Sequence, residues 1–396
     1  MFVTAAPVSR WSVIAAYALV GAATQLLWLN FAGVSTSAAE HYGVSETAIG
    51  WLAQVFPLLY VVLAVPAGLV LDRWFRGGLA AGAVLTALGA AVRLVGDDFT
   101  AVLAGQTLVA VAQPLVLNAI LGVTGRYLAE RDRPAGIAIG TASTFAGLIM
   151  AFVLAAVLPG RDDVSTVLGI SAGFSVVAAV VLVVALRRPG EHAHPAPLAG
   201  LAALRLAWRD PFVRRLCLLV FLPFGTFIAL STFAQPLLEP AGVSGPTASL
   251  LLLLNVVAGV VGCAVLPIVA ARRHRELALL VLGLAVTATG CVVLAVVPGT
   301  ASGLVVLLSI GFLLLPTLPI VLELTERRTG QVEGTAAGLI WLSGNLGGLV
   351  VATVVGLLVD HPAAAFLTMA GAALVAVPLV RSLRPYLPEV TASAPR

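Results

Sequence analysis

The sequence predicts an all-α integral membrane protein, with twelve transmembrane helices arranged as two six-helix pseudo-repeats. Three observations predict it. Of 396 residues, 60% are hydrophobic and 10% charged, where a soluble domain carries roughly a quarter charged residues, and mean hydropathy is +1.07. Apolar runs long enough to cross a hydrocarbon layer of ~30 Å, about 20 helical residues each, recur along the whole chain. The longest polar interval, Leu186 to Arg215, falls halfway.

In order, the expected spans lie near 11–35, 47–71, 78–95, 99–124, 135–158 and 164–186, then 212–236, 246–270, 277–297, 302–324, 333–358 and 363–382. The opening "MFVTAAPVSR" runs straight into a full-length apolar segment, so no cleavable signal is expected. The chain has no lysine, and arginine alone reports orientation under the positive-inside rule. A cytoplasmic amino terminus places 20 of the 22 arginines inside and leaves only Arg93 and Arg161 outside. An even number of spans brings Arg381 and Arg384 inside as well. A cell membrane, plasma or inner, with both termini cytoplasmic, is the expected location.

These boundaries divide the chain into an amino-terminal bundle (1–186), a cytoplasmic linker (187–211) and a carboxy-terminal bundle (212–396). The linker is rich in proline, and its His192 and His194 read as solvated loop residues. Its "LAGLAALRLAWRD" alternates apolar and basic positions, as suits a short helix lying on the inner leaflet. Cys217, Cys263 and Cys291 all sit inside apolar runs. They read as packing residues, and neither metal nor cofactor is expected. An internal echo supports the repeat. Gly136 and Gly140 open the fifth span four residues apart, as Gly334 and Gly338 open the eleventh, a spacing that lets helix backbones approach.

Several spans carry amides and indoles where lipid tails satisfy neither. Gln25 and Trp28 are three apart on one helical face, and Gln106 shares a face with Gln113. An amide turned to lipid costs several kcal/mol. These faces therefore line the bundle interior or a watery cavity, unless they only bridge neighbouring helices. Ionisable residues are nearly absent from the spans, Arg93 and Glu323 near the ends excepted, whereas proton-coupled carriers keep a carboxylate or histidine in the membrane. Facilitated diffusion is the expectation. Eight outer-loop acids (Glu40, Glu46, Asp97, Asp98, Asp162, Asp163, Glu239 and Asp360) face two arginines, an imbalance that concentrates cations at an entrance. No nucleophile with base and orienter is visible, so an enzyme is not expected.

The stretch "GLVLDRWFRGG" resembles the loop between the second and third helices of the major facilitator superfamily. The resemblance implies a conformational latch made by Gly68, Asp72, Arg73 and Arg76, in which the aspartate holds the outward-facing state. In the second half, "VAARRHRE" lacks the aspartate. Four further stretches, "TQLLWLNF", "YGVSETAIGWLAQVFPLLYVVLAVPAGLVLD", "GQTLVAVAQPLVLN" and "GFLLLPTLPIVLELTERRTGQVEGTAAGL", resemble the feline leukaemia virus subgroup C receptor family, described as haem, choline and ethanolamine transporters. That resemblance implies a choline headgroup site at Trp28 and Gln113. It departs at Thr24, where the family has asparagine, and at Trp341 and Asn345, where it has asparagine and glutamine.

The expected protein is a monomeric secondary transporter of a small organic solute, an amine or quaternary ammonium compound such as choline, working by rocker-switch alternating access. Trp28, Gln113, Gln25, Gln106, Phe227, Trp341 and Asn345 are its candidate substrate residues, the aromatic faces suiting a cation without N–H groups. Its partners are the solute and the lipid bilayer, with no nucleic acid. A coupled antiporter of drugs, organic anions or haem-like metabolites is the rival within transport, and a membrane sensor or receptor the rival outside it.

Overall fold

The structure is a computed structural model that describes residues 9–190, 205–206, 208–273, 275–329 and 333–386. Among the described residues there is no strand, and twelve helices are long and apolar enough to cross a membrane. The helices are α1 (Trp11–Leu29), α2 (Ser35–Tyr42), α3 (Glu46–Val92), α4 (Phe99–Leu117), α5 (Ile120–Tyr127), α6 (Arg133–Val157), α7 (Val164–Ala185), α8 (Pro211–Leu238), α9 (Gly245–Arg272), α10 (Glu276–Val296), α11 (Thr300–Leu314), α12 (Thr317–Thr329), α13 (Glu333–Gly356) and α14 (Pro362–Arg381).

Five of the expected spans are built differently. The first ends at Leu29, and the chain turns before α2, which closes on Gly43 at φ 64°, a left-handed position that glycine adopts without cost. The second and third are one helical stretch, α3, interrupted only at Trp74 (φ −134°, ψ 57°). The fourth breaks between α4 and α5, where the Asn118 side chain reaches across to Tyr60 Oη at 2.7 Å and to the Ala64 carbonyl at 3.2 Å. The tenth breaks between α11 and α12 at Pro316, which cannot donate to the preceding turn. Side-chain caps set two starts: Ser45 Oγ accepts from the Ala48 amide at 3.2 Å, and Asp98 Oδ1 from Ala101 at 2.9 Å.

Contacts group the chain into two compact units. Unit 1 is Met1–Gly200 with Ser231–Leu253, and unit 2 is Leu201–Leu230 with Leu254–Arg396. In unit 1 an apolar cluster joins Ile14, Tyr17 and Val20 of α1 to Leu79 of α3, Val116 of α4 and Leu182 of α7. A second gathers Phe31, Ile49, Val102 and Leu168. Lipid is as apolar as these side chains, so close backbone approach and interhelical hydrogen bonds do the holding. A Cβ at Gly147 of α6 would strike the Ala22 carbonyl of α1, and Gly89 and Gly105 meet across α3 and α4. In unit 2, Gly225 and Gly347 bring α8 and α13 together in the same way. The small-residue expectation holds for Gly136 and Gly140, which press on Leu128 and Ile120, but a Cβ at Gly338 would meet nothing, and Gly334 lies outside the described side chains.

The segment Ser231–Leu253 is held to the first helices by polar bonds. Gln235 Oε1 accepts from the Thr36 amide at 3.2 Å, while its Nε2 donates to Thr36 Oγ1 at 2.7 Å and to Glu239 Oε2 at 3.0 Å. Ser249 Oγ donates to the Gly33 carbonyl at 2.8 Å. The linker histidines and most of the "LAGLAALRLAWRD" segment lie outside the described residues.

Candidate functional site

The site begins with a proline. Pro57 has no N–H, so the carbonyl of Ala53, four residues earlier in α3, loses its intrahelical donor. Trp28 supplies the replacement: its indole Nε1 donates to Ala53 O at 3.0 Å. The ring packs at 6.3 Å from Phe56, tilted by 35°, and Trp28 is buried. Its N–H is thus committed to the scaffold. What it can offer a solute is an aromatic face.

Two hydrogen bonds fix how α1 and α4 run past each other. Tyr17 Oη donates to Val116 O at 3.1 Å, and Gln106 Nε2 donates to Leu27 O at 2.9 Å. Ten residues forward along α1 therefore match ten residues back along α4, an antiparallel register. Trp28 is level with Gly105 and Gln113 with Val20, eight residues apart, or about 12 Å at ~1.5 Å per residue. Helical side chains lean toward their own amino terminus. In antiparallel helices this tips Trp28 and Gln113 toward each other, onto the level shared by Gln25 and Leu108.

Gln25 and Gln113 are buried, and neither side chain has a hydrogen bond among the described residues. Gln106 is half satisfied, its Oε1 having no partner. Sequence reasoning passed over Gln54, which follows Ala53 and is buried with both amide atoms unpaired, and Asn30 is in the same condition. Buried polar atoms are ordinarily paired with protein or ordered water. An apolar segment holding this many open amides can take up water or a polar solute. Thr24, by contrast, spends its hydroxyl on the Gly21 carbonyl at 2.8 Å.

Arg93, expected near an outer end, is a buried charge of unit 1. It is 1% exposed, and its three guanidinium nitrogens have no hydrogen-bond partner among the described residues. The guanidinium lies 5.3 Å over the Phe31 ring, so that ring already serves a protein cation. Burial pushes the phenol of Tyr42, at the end of α2, up to about 12, with Arg93 opposing the shift and Asp97 and Asp98 adding to it.

In unit 2, Phe224 brings two of the candidates together: its ring is 6.4 Å from Phe227 and 5.9 Å from Trp341, both edge-to-face. Asn345 Nδ2 donates to the Trp341 carbonyl one turn back at 2.9 Å, leaving its Oδ1 for other partners. Phe224 was not anticipated, since one phenylalanine in an apolar run carries no periodic signal.

At the opposite end of unit 1 from Arg93, Arg76 donates Nε to Leu186 O and Nη2 to Arg187 O, both at 2.8 Å, and the Arg73 guanidinium lies 5.0 Å over Trp74. A Cβ at Gly68 would meet nothing, so that glycine answers no packing demand. The side chains of Asp72, Arg272 and Glu323 lie outside the described residues. Among those described, no group of His, Cys, Asp or Glu is arranged to hold a metal ion.

Comparison with known proteins identifies the family. The sequence pattern of the Major Facilitator Superfamily matches residues 13–352. Solute carrier family 49 member A3 of Danio rerio is 27% identical over 293 residues, 68% of this chain and 61% of that protein. The choline/ethanolamine transporter FLVCR2 of Homo sapiens is 24% identical over 159 residues, 39% of this chain and 30% of that protein. The chain therefore spans between about a third and three fifths of the length of these relatives. The fold matches the nucleoside transporter NupG with a TM-score of 0.71 at 14% identity, covering 94% of this chain and 99% of that one. A bacterial homologue of the human lysosomal transporter Spinster also matches at 0.71, with 13% identity over 94% of this chain and 95% of that one. With the family pattern running through eleven of its spans, the chain belongs to the Major Facilitator Superfamily, whose members are membrane transporters and not enzymes.

Proposed function

We propose that this transporter is a facilitator of a small amine or quaternary ammonium solute such as choline, moving it down its own electrochemical gradient. The observation that carries the reading is the Trp28–Ala53 bond, which leaves an aromatic face and no free N–H. A quaternary ammonium has no N–H to offer and is bound through such faces. Gln25, Gln106 and Gln113 would meet the polar end of the solute from α1 and α4, and Phe227, Trp341 and Asn345 are the candidate substrate residues of unit 2. The similarity to FLVCR2, a choline/ethanolamine transporter, supports the same solute class. All described carboxylates of the spans stand within three residues of a span end, which favours facilitation over proton coupling.

On this reading the chain works by rocker-switch alternating access of its six-helix halves, 1–186 and 212–396, with 187–211 as linker, and the Gly68, Asp72, Arg73 and Arg76 segment is the latch between states. The protein works as a monomer in the cell membrane with both termini cytoplasmic, an orientation supported by the arginine bias. Cysteine labelling should reach Glu40, Asp97, Asp162 and Asp360 positions from outside and the 187–215 segment only from inside.

The test of the solute is a thermal-shift screen of the purified protein against choline, ethanolamine, betaine, haem and organic anions, since a ligand of the folded state raises apparent stability. Choline or a related amine should give the largest shift. A second reading, an organic-anion carrier, is favoured by Arg93, whose buried guanidinium has no hydrogen-bond partner among the described residues. A shift with carboxylates alone would select it and discard the first.

A further inference from the structure

We infer that unit 1 carries a binding site for the headgroup of an anionic phospholipid, at the Trp74 kink. A cavity of about 750 Å³ opens there, lined by Val70, Trp74, Arg76 and Arg126 and closed by Pro189 and Gly190. Its size is within the range of clefts that hold small molecules, ~300–1,000 Å³. Arg76 is held in place by the Leu186 and Arg187 carbonyls through Nε and Nη2, and its Nη1 has no partner among the described residues. A guanidinium fixed on two sides with a third edge open is a preformed phosphate clamp. Arg126 lies 4.1 Å over the Phe75 ring, adding a second positive charge to the same wall.

The surroundings choose a lipid over a soluble phosphate. Of the lining residues, Trp74 is 61% exposed and Val70 36% exposed, so the cavity carries an exposed apolar rim. Tryptophan prefers the membrane–water interface. A soluble phosphate has no use for such a rim, whereas a phospholipid lays its chains along it. The linked turns on this side carry eight arginines (Arg10, Arg73, Arg76, Arg126, Arg131, Arg133, Arg187 and Arg188) against three acids (Asp72, Glu130 and Asp132). Such a basic cluster draws anionic lipid to whichever leaflet it faces. Because the headgroup would sit between the α3 kink and the start of the linker, its occupancy couples lipid composition to the latch segment.

Native mass spectrometry of the full chain in mild detergent tests this, with phosphatidylglycerol and phosphatidylcholine as probes. Phosphatidylglycerol should be retained over phosphatidylcholine. Arg76→Gln should lower the phosphatidylglycerol-bound fraction roughly threefold or more by removing the clamp's charge, and Trp74→Ala should lower retention of both lipids. Arg131→Gln, on the same side with a side chain 87% exposed and outside the cavity, should change neither. Equal retention by wild type and Arg76→Gln, or an equal fall in Arg131→Gln, overturns the site. Full displacement by inorganic phosphate or glycerol phosphate overturns the lipid as occupant. Should Arg76→Gln fail to fold, Trp74→Ala and Arg126→Gln put the same question through the remaining walls.

Discussion

The indole N–H of Trp28 fills the hydrogen-bond vacancy that Pro57 leaves at the Ala53 carbonyl, at 3.0 Å. One side chain thus has a structural duty and a candidate binding duty, and the two are separable. Trp28→Phe keeps an aromatic face but strands a buried carbonyl, so it should cost about 1–3 kcal/mol of stability. Pro57→Ala in that background restores an N–H to the helix and should recover part of the loss, which a double-mutant cycle by thermal unfolding would measure. Binding of a cationic solute should fall by about 1–2 kcal/mol in Trp28→Ala and only partly in Trp28→Phe. Full affinity in the alanine variant, with the fold intact, would return Trp28 to packing alone.

Gln113 has no side-chain hydrogen bond in the described structure, so its removal strands nothing. Gln113→Ala should leave the unfolding temperature close to that of the parent and weaken solute binding by about 1 kcal/mol. Gln113→Leu should weaken it further, by adding bulk without a polar atom. Titration calorimetry with the solute found by the thermal-shift screen reads both. A large drop in stability with unchanged affinity would make Gln113 an interhelical strut.

Asp72→Asn removes charge from the latch segment while keeping shape. Flux should slow more than equilibrium binding weakens, and the ratio of inward- to outward-accessible molecules in a cysteine-labelling assay should change. Unchanged flux and unchanged labelling would reduce the segment to a connection.

Arg93 carries a buried charge with no hydrogen-bond partner among the described residues and only the Phe31 ring against it, an arrangement that costs stability. Arg93→Met retains length and an apolar contact with the Phe31 ring. It should raise stability by about 1–4 kcal/mol, the range seen when buried charges give way to apolar side chains. Chemical denaturation in detergent measures this. A loss of similar size would mean that an unseen counter-charge or ordered water satisfies the guanidinium.

The membrane spans were legible because twenty apolar residues in a row have few other physical uses, and the polar stripe on α1 was legible because an amide in lipid is expensive. The breaks at 118–119 and 315–316 were not legible as such. A proline or asparagine in an apolar run permits either a kink or a stop, and only the acceptor that the neighbouring helix offers decides between them. Trp28 could be picked out as polar and aromatic in the wrong solvent, but its partner could not, since the pairing depends on where Pro57 lands in three dimensions. Arg93 was visible as a charge near an outer end. That it is buried on Phe31, and not extended into water, is a tertiary fact. Gln54 escaped notice because one amide between apolar neighbours has no period.

Trp74, the second residue of a 20-residue span that follows a 26-residue one almost directly, carries the non-helical backbone at their junction. For biosynthesis this makes them a single delivery. With so little connecting chain, the second span cannot wait in water while the first settles, and the insertion machinery must accept both as one hairpin. Extra residues placed at this corner would free the two spans to enter separately, and the order of membrane entry would become a matter of timing and no longer of geometry.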